Sequence, residues 1–117
     1  MDGRVQLPVI KYLQRRFNTE YVDSITEPGP NLILAYQSNI NIVESVFNRL
    51  KISVEKHSSV GIAVTGHYGC AGNPAAKQEQ SEHTLDAIEC IKLKYPDIEI
   101  IGLWVNENWE VSEISAD

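Results

Sequence analysis

Apolar positions along the chain follow two rhythms. Between Leu7 and Arg16, Val9, Ile10 and Leu13 fall along one side while Lys11, Gln14 and Arg15 face outward, and Pro8 suits a first helical turn, so the spacing predicts a short amphipathic helix. From Asn39 to Lys56, Val43, Val46, Phe47, Leu50 and Val54 repeat at helical spacing behind a cap at Asn39 or Asn41. Asn73-Pro74 supplies a capping residue and a first-turn proline, and Leu85, Ile88, Ile91 and Leu93 continue as a helical stripe, which predicts one or two helices over residues 74–95. The second rhythm is unbroken: Ser59–Gly66 and Ile98–Val105 are short, β-branched runs suited to strands covered on both faces. Phe17–Asp23 is rich in aromatic and β-branched residues and predicts a strand that ends before the Pro28-Gly29 turn; Asn31–Ala35 also reads as a strand. Trp109–Ile114 then closes a hairpin over Asn106–Asn108.

Strands alternating with helices imply right-handed crossovers, and the order predicts a three-layer α/β/α domain with a mostly parallel sheet and an edge hairpin. Ligands of such sheets bind beyond the carboxyl ends of the strands. Asp23 and His67 are both expected at such ends.

The length of 117 residues suits a single domain over 1–117. A net charge of −6 argues against nucleic acid or an anionic membrane as the main partner. The opening residues hold no uninterrupted apolar stretch, and no other run approaches bilayer length, so the expected location is cytoplasmic. In that reducing setting Cys70 and Cys90 are expected as free thiols, or one of them as a metal ligand.

The stretch Gly66–Pro74, GHYGCAGNP, concentrates the candidate chemistry. His67 and Cys70 are ligand types that zinc favours, but two donors do not complete a site. By themselves they also suit a tight turn, with Gly66, Gly69 and Gly72 letting the chain leave the strand, Cys70 buried and His67 hydrogen-bonded. His83 and Cys90 share a helix face where core packing accounts for them, His57 ends a helix whose dipole it complements, and Trp104 and Trp109 flank the hairpin as core or interface residues.

VDSITEP (Val22–Pro28) followed by VTGHYGCAG (Val64–Gly72) resembles the two zinc motifs of the β-class carbonic anhydrases, C-x-D-x-R and H-x-x-C, and IIGLWVNENWEVSEI is similar to that family's late strand segment. The likeness spans most of residues 17–114 and resembles a compact, divergent branch. Aligned on Asp23, the first cysteine ligand falls on Tyr21 and the arginine on Ile25. The resemblance implies a β-carbonic anhydrase-like fold, zinc, a homodimer, and carbon dioxide or bicarbonate as ligand. In an extended segment Asp23 projects from the same side as Tyr21, so Asp23 is the candidate third ligand beside His67 and Cys70. Gly69, Ala71 and Gly72, ahead of a helix, are candidate anion-binding positions.

Three functions follow as alternatives. One is a zinc lyase that hydrates carbon dioxide, weakened or silent because Ile25 lacks a guanidinium, with its catalytic residues unassigned. Another is a non-catalytic small-ligand-binding or interaction protein on the same fold without metal. The last is metal-free thiol chemistry at Cys70.

Overall fold

A computed structural model describes residues 1–115. Asp2 opens α1 (Gly3–Arg16): its carboxylate accepts from the Arg4 backbone N–H at 2.9 Å, satisfying one of the donors that a helix start leaves free. The helix ends at Phe17, and Asn18 follows in the left-handed region. The strand expected over Phe17–Asp23 does not form. Val22–Thr26 make no main-chain hydrogen bonds with described residues. β-branched residues favour a strand only where a neighbouring ladder receives them, and none does here.

Asn31–Ala35 is helical rather than extended, within α2 (Pro30–Tyr36). Gly29 turns the chain at a φ of 66°, and Pro30 takes the first helical position, where its missing N–H is no loss. Asn31 and Leu34 then share the buried side. In α3 (Ile40–Lys56) the Asn39 side chain accepts from the Ile42 N–H, and Val43, Val46 and Leu50 are buried as their spacing predicts. The chain continues through β1 (Gly61–His67), α4 (Lys77–Lys94), β2 (Glu99–Val105) and β3 (Val111–Ile114).

The sheet is three-stranded and mixed, with order β1-β2-β3. β1 pairs with β2 in parallel from Gly61 opposite Glu99 to His67 opposite Val105, and β3 returns antiparallel to β2. The mostly parallel expectation therefore needs correction. Only α4 serves as a crossover between parallel strands, because the two additional strands expected before it are coil and helix. The hairpin is as predicted: Asn106 Oδ1 accepts from the Asn108 and Glu110 N–H groups, and Trp109 turns the chain at a φ of 60°.

Alternation along β1 divides the structure into layers. Ile62 and Val64 join Leu34, Val43, Val46, Leu50, Ala87, Ile88 and Ile91 in one core between the sheet and α2, α3 and α4. Ala63, Thr65 and His67 turn the other way, into a cavity that α1 lines. Across that face α1 is tied to the sheet by Arg16, which reaches Glu99 at 2.7 Å and Glu113 at 3.1 Å, and by the Tyr12 hydroxyl on Glu113. No helix of the described residues is long and apolar enough to cross a membrane.

Gly72 and Gly29 hold the loop after β1 against the start of α2. A Cβ on Gly72 would overlap the Pro28 carbonyl, and one on Gly29 would lie 2.7 Å from the Gly72 carbonyl carbon. Gly69, at a φ of 69°, has open space around its missing Cβ. Gly72→Ala should therefore lower the unfolding free energy by about 3 kcal/mol, since backbone cannot yield to the added methyl. Gly69→Ala should cost only about 1 kcal/mol of left-handed strain. Urea denaturation of both variants checks the order.

Candidate functional site

His67 is the last residue of β1, and its backbone is held by a side chain. The Gln80 amide accepts from the His67 N–H at 3.2 Å and donates to the His67 carbonyl at 2.8 Å, as a neighbouring strand would. Gln80 also donates to the Ala75 carbonyl and is fully buried. Gly66 leaves room for it: a Cβ there would meet the Gln80 and Asn31 amides at 2.9 Å.

The clamp extends into a buried network of fixed polarity. The Leu32 N–H donates to Asn31 Oδ1, so the Asn31 NH₂ must face Gln80 and Thr84. Asn73 in turn gives its NH₂ to Asn31 Oδ1 and to His83 Nδ1 at 3.0 Å, which makes His83 Nδ1 an acceptor. Every buried side-chain nitrogen and oxygen among the described residues has a partner. Such a network is costly to leave half-satisfied, so the loop from Tyr68 to Ala76 has one position.

The His67 ring is buried, and its Nδ1 lies 2.9 Å from the Tyr68 carbonyl. A carbonyl can only accept, so Nδ1 carries the proton and Nε2 keeps its lone pair when the ring is neutral. No described residue hydrogen-bonds to Nε2. The ring lines a cavity of about 120 Å³ with Thr65, Gln6 and Thr26 among its polar walls and Val5 and Val9 among its apolar ones. Cys70, just beyond, is buried and unpaired with any other cysteine. Gly69 and Ala71 lie in the same loop, but α4 begins only at Lys77, with Asn73–Ala76 between them and its first turn.

Asp23 lines the same cavity as His67, but its carboxylate turns elsewhere. Oδ2 lies 2.7 Å from His57 Nδ1, at the end of α3 where the chain prepares to enter β1, whereas His67 closes β1 at the opposite end. The Ser53 hydroxyl, then His57, hold the Asp23 pKa below the ordinary carboxylate value. No group of three or more His, Cys, Asp or Glu side chains among the described residues is placed to hold a metal ion. The expected set of Asp23, His67 and Cys70 is thus not assembled, and the residues present do not fit a three-protein-ligand zinc centre. The cause is the missing first strand, without which nothing directs Asp23 toward the far end of β1.

The model of the putative carbonic anhydrase family matches residues 1–115. The chain belongs to this family. No curated protein and no solved structure matches it. Tyr21, where the resemblance sets a cysteine, is 81 % exposed, and Ile25, where it sets an arginine, packs against the apolar core.

Sequence reasoning passed over Gln80, Asn31 and Asp2, and read Asn73 as a helix cap, whereas α4 starts at Lys77 behind Ala76 and the Asn73 amide joins the buried network. Gln80 and Thr84 continue the apolar stripe of Ala87, Ile88 and Ile91 one turn at a time toward the start of α4, so a polar residue on a buried face was the available signal. Asp2 gave none. Its carboxylate is held far below the usual range by the Arg4 guanidinium and N–H.

Gln80→Leu fills the same space but leaves the His67 N–H and carbonyl without partners, and should cost about 3 kcal/mol while speeding exchange of the His67 amide. Urea denaturation and hydrogen exchange measure the two effects. Asp23 contributes stability with a sign set by its lowered folded pKa. The contribution is present above the unfolded carboxylate value and is lost as pH falls through the folded one. Asp23→Asn should therefore lose less stability than the wild type between about pH 5 and about pH 3, as urea midpoints across that range will show.

Proposed function

We propose that this protein is a non-catalytic, small-ligand-binding member of the carbonic anhydrase-like family, with His67 as the polar anchor of its cavity and no resident metal. The observation that carries this reading is the pairing of Asp23 with His57 at 2.7 Å, which takes the third candidate donor away from His67 and Cys70. The identities of Tyr21 and Ile25 support it, since neither supplies a thiolate or a guanidinium. A cavity of about 120 Å³ suits a ligand of a few heavy atoms, such as bicarbonate, with a hydrogen-bonding group at His67 Nε2 and the rest against Val5 and Val9.

A second reading keeps zinc. It is favoured by His67 Nδ1 donating to a backbone carbonyl, an arrangement that fixes an imidazole with Nε2 free to act as a ligand. Elemental analysis of protein purified without chelator separates the two. The non-catalytic reading expects far less than one zinc per chain, no carbon dioxide hydration in stopped flow, and bicarbonate-dependent shifts of the Val5, Val9 and Thr65 methyl resonances that disappear in His67→Ala protein. One zinc per chain, abolished by His67→Ala and by Cys70→Ser, overturns it.

A further inference from the structure

The larger of two cavities lies away from His67. It holds about 370 Å³, against about 120 Å³ beside the His67 ring, and opens among α1, the end of α3, the start of β1 and residues 19–25. That volume falls within the range of sites that hold small organic molecules. Leu13, Phe17, Val22, Leu50 and Val60 supply apolar surface to it. Gly61 lets the Phe17 ring close against the start of β1, since a Cβ there would overlap the ring.

Charge enters this cavity at one place. Asp23 is the single carboxylate among its lining residues, and no lysine or arginine lines it. The ion-pair partner of Asp23 among the described residues is His57, whose Nδ1 lies 2.7 Å from Oδ2. A carboxylate can only accept, so a neutral His57 ring carries its proton on Nδ1 and leaves Nε2 as a second acceptor. No described residue hydrogen-bonds to that nitrogen. Of the lining hydroxyls, Thr19 donates to the Tyr21 carbonyl, and Ser53 and Ser59 bond each other at 2.7 Å. The cavity thus presents apolar walls and one negative charge with no permanent cation beside it. An anion is repelled there, and a bare inorganic cation gains nothing from Phe17, Leu50 or Val60. The complement is a cation that carries an apolar body.

We infer that this cavity is a second ligand site, which takes a small apolar amine with its ammonium group on the Asp23–His57 pair and its hydrocarbon against Phe17, Leu50 and Val60. An ammonium brings donors to both acceptors at once. The Asp23 side chain is 40 % exposed, so water screens the ion pair; apolar contact carries most of the affinity, and charge decides which molecule is taken. The site does not depend on the role proposed for His67. Phe17, Leu50 and Val60 line this cavity and not the other, whereas Val5 and Val9 line only the cavity of His67.

The probe is cyclohexylmethylamine, titrated into the full chain at about pH 8, where an ordinary histidine is neutral, and followed by NMR. Cyclohexylmethanol and cyclohexanecarboxylate serve as neutral and anionic counterparts of similar size. The amine should shift the Leu50 and Val60 methyl and Phe17 ring resonances saturably, with a dissociation constant of about 1 mM, as suits so small a ligand. The alcohol should bind at least about threefold more weakly, and the carboxylate more weakly still. Asp23→Asn should bring the amine level with the alcohol, while His67→Ala leaves both unchanged. If Asp23→Asn does not fold, the ranking of the three probes decides alone. Four results overturn the inference: no saturable shift with millimolar amine, the alcohol or the carboxylate binding as tightly as the amine, undiminished amine binding in folded Asp23→Asn protein, or loss of amine binding in folded His67→Ala protein.

Discussion

The Gln80 amide on the His67 backbone is the contact on which the rest of the site depends. An edge strand that ends inside a protein leaves an N–H and a carbonyl to be satisfied, and the chain solves this with a side chain from the helix that follows. Because Gln80 is rooted in α4, the end of β1 and the start of that helix become one unit. The crossover between β1 and β2 is then fixed at its first step, before the apolar stripe of α4 meets the sheet.

Fixing that step has a chemical consequence. Asn31, Asn73, Thr84 and His83 fall into a donor and acceptor order set by backbone groups at its ends, so the loop carrying Cys70 has no alternative arrangement of similar energy. The close backbone approach of Gly29 and Gly72 fastens the same loop from the other side. Rigid surroundings of this kind present His67 in a defined tautomer.

The helices at Leu7–Arg16 and Asn39–Lys56, the strands ending at Gly66 and Val105, and the hairpin were legible because apolar spacing decides them. Asn31–Ala35 was not, since a brief apolar run has no period; Pro30 at a helix start was the local cue. Phe17–Asp23 failed for a different reason: its composition favours a strand, but a strand requires a partner that composition cannot supply. His67 and Cys70 were found at the end of β1 as their pattern implied. The buried amides were hidden because a single polar residue on a helix face looks the same whether it meets water or another amide.

The absence of a strand over Phe17–Asp23 links features that otherwise look separate. Without a ladder to β1, Val22–Thr26 make no main-chain hydrogen bonds with described residues, and the Asp23 carboxylate pairs with His57 at 2.7 Å. The same absence leaves β1 as the edge of the sheet, beside a cavity of about 370 Å³. Asp23 and Ile25 line that cavity as well, so the segment expected to carry the third ligand stands against the edge of β1 without pairing to it.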